Sequence, residues 1–299
     1  MSKKSHTLLT VLAILGCIGL FLAIVIVIVI KLFTPSTDLS FNEKIGVIPI
    51  QGAIIDSRHI TSQLVRFKKD KKIKAIILRI NSPGGAVGPT QEIYREIRRT
   101  IKTKKVIASI GGIAASGGYY VASAADSIVA NSGAITGSIG VIMEVLRFED
   151  LLKKIGVSIE VIKSGEFKDI GSPHRELTER EKELLNSLIK DIQSQFVDDV
   201  AAGRGLSVDK VRQIADGRIF SGARAKELGL VDRLGNFHDA VDLAKNLTGT
   251  KGDVTLVYPQ KNRLELWELF FESAARSVLK AFNSFETPLE YMWKGPTVD

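Results

Sequence analysis

Cysteine is almost absent from this chain of 299 residues, which contains one, Cys17. A single cysteine inside an apolar run forms no intramolecular disulfide and leaves no thiol for catalysis in the polar part of the chain. Histidine is also scarce, with four residues, and none of them follows a glycine-rich loop or a predicted strand. We therefore expect neither a cysteine nucleophile nor a bound metal, and we predict no cofactor.

Charge is missing from residues 7–30, which are mostly Leu, Ile and Val. A bilayer-spanning helix needs roughly 20 such residues, so we predict an uncleaved transmembrane helix at 7–30 and a linker at 31–43. The run is longer than the apolar core of a signal peptide and ends without a small-residue cleavage site. A lipoprotein box ending at Cys17 is a weaker alternative, because apolar residues continue beyond that cysteine.

The orientation of this helix follows from the few charges around it. Lys3 and Lys4 precede it, and the positive-inside rule then places residues 1–6 in the cytoplasm. The rest of the chain would lie outside, which predicts a single-pass protein of the inner cell membrane whose large domain is extracytoplasmic.

The chain carries a formal net charge of +8, and its basic residues concentrate in residues 66–74 and 95–105. No nucleic-acid-binding motif and no interleaved aromatic residues accompany these clusters. We therefore predict no nucleic-acid partner. We interpret the basic clusters as a solvated face of the protein, which could lie against anionic lipid.

Strand-like apolar runs alternate with helical patterns in residues 44–249. The predicted strands are Ile45–Ile50, Ile73–Ile80, Val106–Ile110, Ser127–Ala130 and Ser158–Ile162, and the predicted helices are Ile60–Lys71, Gln91–Thr100, Ser116–Ala125 and Glu176–Ala202. This alternation indicates an α/β domain whose parallel strands are buried on both faces. Residues 250–299 form a predicted C-terminal extension, with a strand at Val254–Tyr258 and a helix at Leu264–Phe282.

Two glycine-rich stretches follow predicted strands, NSPGG at residues 81–85 and GGIAASGGYY at residues 111–120. Ser116 is flanked in the second stretch by residues that have almost no side chain. The order of strand, tight turn, serine and helix is similar in principle to a nucleophile elbow, although GxSxG is absent. We predict Ser116 as a nucleophile, with the two loops supplying an oxyanion hole.

The sequence offers two candidates for the base that would activate Ser116, a lysine and a histidine. Lys168 follows the predicted strand Ser158–Ile162. A free lysine has a pKa near 10.4, but burial in an apolar pocket lowers that value and yields a neutral amine. His174 is the alternative.

Five motifs occur in a fixed order: NSPGG, IAASGGYY, ITGSIGV, IKSGEFKDIGSPHRELT and DGRIFSGARAKELGLVDRLG. Together they resemble the signal peptide peptidase A family of membrane-anchored serine proteases. The resemblance implies a Clp protease/crotonase-like α/β fold, a serine–lysine dyad of Ser116 and Lys168, and a ring-like homo-oligomer. One serine motif and one lysine motif match the single-length form of the family, which pairs the dyad within one protomer or across an interface.

The resemblance also implies roles for other residues. The N–H groups of Gly117 and Gly85 would form the oxyanion hole, with Gly84 as an alternative to Gly85. Ser138 would orient the Lys168 amine, and Tyr119 and Tyr120 would pack the helix that follows the nucleophile.

The expected activity is cleavage of apolar peptides, such as signal peptides already released from preproteins. Two other functions stay open. A crotonase-type acyl-thioester enzyme uses similar paired N–H groups without a serine nucleophile, and a non-catalytic ring scaffold needs no active site.

Overall fold

The computed structural model describes residues 43–259, residues 16, 18–24 and 26 near the N-terminus, and the backbone of residues 290–292. The chain divides into two compact units, Met1–Phe41 and Asn42–Asp299. The described residues of the first unit are helical. Within the described parts, no helix is long and apolar enough to cross a membrane. Most of the predicted spanning segment 7–30 lies outside the described residues, so the spanning helix stays a prediction.

The second unit is built around an eight-stranded sheet, with a separate two-stranded ribbon. The strands are β1 (Lys44–Gln51), β2 (Ile73–Ser82), β3 (Gly84–Ala86), β4 (Lys105–Ala115), β5 (Ser127–Ala130), β6 (Ile135–Gly137), β7 (Ile219–Ser221), β8 (Arg233–Leu234), β9 (Thr255–Val257) and β10 (Glu290–Met292). The large sheet has the order β7-β6-β4-β2-β1-β9, with β5 beside β4 and β8 beside β5. Its pairs are parallel except β6 with β7.

Helices cover both faces of this sheet. The helices of the second unit within residues 43–259 are α1 (Arg58–Lys69), α2 (Val87–Thr100), α3 (Gly117–Ser123), α4 (Glu149–Lys154), α5 (Glu179–Arg204), α6 (Val208–Arg212), α7 (Gly222–Glu227) and α8 (Phe237–Thr248). Side chains of α1, α2, α3 and α5 share one apolar cluster with the sheet, and α8 forms a second cluster with β1, β2, β4 and β5. The predicted α/β layering is confirmed, because strands covered on both faces read as continuous apolar runs.

The strand β4 is longer than the sequence predicts, and this places the candidate nucleophile. Its first half pairs with β5 and its second half with β6, so the strand continues through Gly111 and Gly112 to Ala115. The Asn81 side chain supports the second half by accepting a hydrogen bond from the Ile113 N–H, at 3.2 Å. Ser116 therefore follows directly on the carboxyl end of a central strand.

The predicted strand Ser158–Ile162 is wrong. The segment belongs to no strand, and its apolar side chains are exposed, with Ile162 97% exposed. The sequence of this apolar run is typical of a buried strand, but no strand in the described part of the chain pairs with it. A β-strand needs a hydrogen-bonding neighbour, which sequence pattern alone does not supply.

Helix α5 begins at Glu179, three residues after its predicted start. Thr178 and Glu181 cap it reciprocally through their side chains, which confirms the capping box read from the sequence. The predicted strand in residues 254–258 is confirmed as β9, which extends the sheet beside β1. The predicted helix Leu264–Phe282 lies outside the described residues.

Candidate active site

Ser116 occupies a sharp turn between β4 and α3. Its backbone has φ 52° and ψ −118°, a conformation that residues with a side chain rarely adopt. The turn is held at both ends, since the Ser116 N–H donates to the Gly137 carbonyl and the Ser116 carbonyl accepts from the Tyr120 N–H, each at 2.8 Å. A Cβ on Gly118 would lie 2.6 Å from the Ser82 carbonyl oxygen. The glycine lets α3 start close against β2, and strained backbone of this kind is concentrated at functional sites.

The Ser116 hydroxyl has no hydrogen-bond partner among residues 43–259. Its Oγ makes no hydrogen bond to any residue that the structure describes, although the residue is only 2% exposed. Helix α3 begins at Gly117, and the first N–H groups of a helix have no acceptor inside that helix. A buried hydroxyl beside free N–H groups is the arrangement that nucleophilic attack on a carbonyl requires.

In the second glycine-rich loop, the N–H groups of Gly84 and Gly85 point in different directions, so only one of them can be the oxyanion-hole donor. The Gly84 N–H already donates to Ser82 Oγ at 3.2 Å. Ile54 donates its N–H to the Gly84 carbonyl and accepts the Ala86 N–H, both at 2.8 Å. Because successive residues of a strand send their backbone groups to opposite edges, the Gly85 N–H points away from Ile54 towards the other edge of β3.

That other edge of β3 carries an extended segment of the same chain. The backbone of β10 pairs with it antiparallel, with residue 291 opposite Gly85, and also lies against α3. A Cβ on Gly85 would lie 2.2 Å from the Ile54 carbonyl oxygen, so glycine is required for this close layering. The edge beside the candidate nucleophile is therefore able to accept an extended polypeptide.

Ser138 lies beside Ser116. Strands β4 and β6 are parallel neighbours in which Ala115 is opposite Gly137, and each of the two serines directly follows its strand. Ser138 has φ 51°, is 7% exposed and donates its N–H to the Arg218 carbonyl at 2.8 Å. The fold thus brings Ser116 and Ser138 together at the carboxyl edge of the sheet.

Lys168 is not joined to these serines. It lies in a turn in which its N–H donates to the Gly165 carbonyl at 3.2 Å, and its side chain is exposed. Across residues 43–259, its ammonium forms no hydrogen bond or ion pair. The alternative base, His174, makes no described side-chain contact with Ser116 either.

Tyr119 and Tyr120 are fully buried and pack α3, as the sequence predicts. The Tyr119 hydroxyl donates to the Leu230 carbonyl at 3.0 Å, and burial raises the pKa of Tyr119. The Tyr120 hydroxyl donates to the Asp199 carboxylate on α5, while Tyr94 donates to the Asp199 carbonyl at 2.8 Å. The sequence analysis missed Asp199, and the only signal for it was a carboxylate on the inward face of a long amphipathic helix.

A metal site is not found among the described residues, which contain no group of three or more His, Cys, Asp or Glu side chains able to hold an ion. The chemistry that this arrangement supports is nucleophilic, with a serine hydroxyl, helix-start N–H groups and an edge for an extended chain.

Comparisons with known proteins agree with this arrangement. The family model of peptidase family S49 matches residues 98–251, and that of Clp protease matches residues 42–132. A Synechocystis sp. protein provisionally named protease slr0021 is 49% identical over 215 residues, which cover 72% of this chain and 78% of that protein.

Two further relatives carry more specific names. An Enterococcus faecium protein provisionally named signal peptide peptidase SppA is 35% identical over 218 residues, 68% of this chain and 63% of its own length. The chloroplastic serine protease SPPA of Arabidopsis thaliana is 37% identical over 207 residues, 69% of this chain and 31% of its own length. The chain therefore belongs to peptidase family S49, as its motifs predict, and it is a serine peptidase.

Proposed function

We propose that the chain is a membrane-anchored endopeptidase that cleaves apolar peptides with a dyad of Ser116 and Lys168. The observation that carries the proposal is the strained turn at Ser116, which holds a buried hydroxyl, without a partner in the part of the chain that the structure describes, at the start of α3. Ser116 Oγ attacks the scissile carbonyl while the neutral Lys168 amine takes its proton. The resulting ammonium then protonates the leaving amine as the C–N bond breaks, and water hydrolyses the acyl-enzyme with the amine again as base.

The negative charge of the tetrahedral intermediate falls on the former carbonyl oxygen. We assign the N–H groups of Gly117 and Gly85 as its donors, because Gly117 begins α3 next to the nucleophile and the Gly85 N–H faces the edge of β3 on which β10 pairs and a substrate strand would bind. Gly84 is the poorer candidate since Ser82 Oγ already accepts its N–H. Ser138 is suited to accept a hydrogen bond from the Lys168 amine and so to orient its lone pair towards Ser116.

The substrate would bind as an added strand along β3. The antiparallel pairing of β10 on this edge supports the proposal, because backbone pairing is indifferent to the sequence of the added strand. Small residues around Ser116 leave room for the peptide backbone. Because main-chain pairing requires no particular side chains, this edge admits apolar peptides such as released signal peptides.

Lys168 would reach Ser116 from a neighbouring copy in a ring. On helix α5, Asp199 contacts Tyr120 near the serine, and Glu181 contacts Arg175 in the lysine segment. Asp199 and Glu181 are 18 positions apart in sequence, which corresponds to about 27 Å along the helix. Several exposed apolar side chains lie in residues 142–162, ahead of the lysine in sequence, and on the first half of α5, and such exposed apolar side chains are typical of a subunit interface. They are Ile142, Leu146, Leu151, Ile155, Val157, Ile159, Val161, Ile162, Leu184 and Leu188.

We further propose that residues 7–30 anchor the enzyme in the inner membrane, with residues 1–6 in the cytoplasm and the peptidase domain outside. Apolar peptides leaving the bilayer would then be within reach of the active site. Protease added to intact spheroplasts is expected to digest the domain and to spare a tag at Met1. If the domain resists digestion until the spheroplasts are lysed, as a cytoplasmic control protein does, the orientation is the reverse of the proposed one.

A serine-directed fluorophosphonate tests the proposed chemistry in the full chain. We expect the probe to label Ser116, as located by peptide mass mapping, and to abolish hydrolysis of an apolar peptide substrate. Ser116→Ala should block both labelling and hydrolysis, while Ser132→Ala, at an exposed serine in the turn between β5 and β6, should leave both unchanged. An unlabelled but thioester-cleaving protein would indicate a crotonase-type enzyme, and a protein without either activity would indicate a scaffold.

A further inference from the structure

We propose that Arg175 is a positioning residue that holds Lys168 in its working place through two carboxylates, Asp169 and Glu181. The inference rests on the proposed function of Lys168 as the base. It assigns a role to a side chain that touches neither substrate nor Ser116, and it concerns both the place and the charge environment of the lysine.

The first carboxylate adjoins the lysine in sequence. Asp169 accepts two hydrogen bonds from Arg175, from Nε and Nη2, both at 2.9 Å. Lys163 Nζ donates to the same carboxylate at 2.6 Å. The Asp169 side chain is 9% exposed, and the hydrogen bonds from Arg175 and Lys163 hold its pKa well below the usual range. The residue next to Lys168 is thus fixed by a two-pronged contact.

The second carboxylate belongs to the long helix. Arg175 Nη1 donates to Glu181 Oε2 at 2.8 Å, and Nη2 donates to Glu181 Oε1. Glu181 is 1% exposed, and hydrogen bonding to Arg175 lowers its pKa to about 2. The same carboxylate accepts the Thr178 N–H at 2.8 Å in the capping box of α5. One guanidinium therefore ties the lysine turn to the first turn of α5.

Helix α5 transmits this attachment to the serine side of the protein. Its second half is buried through Ile192, Phe196, Val197, Val200 and Ala201. Asp199 on that half receives the Tyr120 hydroxyl from α3, the helix that begins beside Ser116. Each protomer thus holds its own serine helix and its own lysine turn on one rigid element, so the position of α5 in a ring would set both halves of every dyad.

A third contact near Lys168 is weaker. Arg180 donates to both oxygens of Glu166, at 2.7 and 2.9 Å, but both side chains are largely exposed. Exposed ion pairs contribute little to stability. The buried contacts of Arg175 therefore carry most of the restraint on the turn.

Arg175 also controls the charge beside the base. Asp169 accepts hydrogen bonds from Arg175 and Lys163, two cations that balance its charge, and the adjacent Lys168 ammonium makes no ion pair with it. Without Arg175 the carboxylate would be partly free. A nearby opposite charge favours the charged form of a lysine, so the enzyme would then need a higher pH to obtain a neutral amine.

The test compares Arg175→Met and Arg175→Lys in the full chain. We expect Arg175→Met to lower kcat by about 100-fold with little change in KM, because small misplacements of a catalytic group have effects of this size. Its pH–activity profile should move to higher pH. Arg175→Lys keeps the positive charge without the two-pronged geometry, so it should restore the pH profile and only part of kcat.

Two further variants separate these effects from loss of folding. Asp169→Asn removes the carboxylate that would attract the lysine, so kcat should fall without a shift to higher pH. Arg147→Met breaks an exposed ion pair with Glu176 in the same segment and should behave as wild type. If Arg175→Met is unfolded by thermal melting and circular dichroism, the Asp169→Asn result decides, and wild-type kcat in that variant would overturn the inference.

The inference is overturned if the wild type is labelled at Ser116 and active while Arg175→Met matches it in kcat and pH profile. A lowered kcat with an unmoved profile and no rescue by lysine would also overturn it. Failure of the wild type itself to be labelled or to cleave peptides would instead refute the proposed function.

Discussion

Lys168→Arg is expected to be as inactive as Lys168→Ala, with kcat/KM reduced by a factor on the order of 10⁴ or more. Arginine keeps the length and positive charge of lysine, but its guanidinium stays protonated in proteins and accepts no proton from a serine. The substitution therefore separates a proton acceptor from a mere positive charge. Peptide hydrolysis and the rate of fluorophosphonate labelling at Ser116 measure the loss.

The pH dependence of the wild type provides the companion result. Activity should rise with pH as the lysine loses its proton, without the inflection near pH 6.5 that an unperturbed histidine gives. His174→Ala is the matched control and should retain activity. An active Lys168→Arg enzyme would mean that residue 168 supplies only charge, and an inactive His174→Ala enzyme would identify the histidine as the base.

The sequence predicted those parts of the fold that depend on local pattern. The central strands β1, β2 and β4 are continuous apolar runs because helices bury both of their faces. The capping box of Thr178 and Glu181 was predicted because its two partners are only three residues apart, although the predicted start of α5 lay three residues too early. The turn at Ser116 followed from small residues that permit strained backbone and close packing.

Features that depend on distant partners were not predictable. The run Ser158–Ile162 has the composition of a buried strand, yet its side chains are exposed and no described strand pairs with it. The end of β4 was placed too early, because its second half is held by β6 and by the side chain of Asn81. Both differences depend on pairing between segments that are distant in sequence, and the local hydrophobic periodicity does not predict such pairing.

The roles of the candidate site residues stay predictions, and they too combine local motifs with contacts between distant residues. Motif order predicts Ser116, Ser138 and Lys168 as site residues, and the proposed preference for Gly85 over Gly84 rests on the directions of their N–H groups. Arg175 contacts Asp169 and Glu181, which are close to it in sequence. These contacts were not predicted, because a run of charged residues is equally typical of a solvated surface.

The pairing of Ser116 and Lys168 between copies is the central claim, and mixed oligomers test it most directly. Chains carrying Ser116→Ala and chains carrying Lys168→Ala, with different tags, can be co-expressed and purified through both tags. Each variant alone is expected to be inactive. A ring that takes the serine from one chain and the lysine from its neighbour should have an intact pair at about a quarter of its sites after random mixing. We therefore predict recovery of about a quarter of the wild-type peptidase activity in the mixed oligomers. Mixed oligomers that form but stay as inactive as the two pure variants would contradict the claim, because a dyad within one chain is broken in every copy.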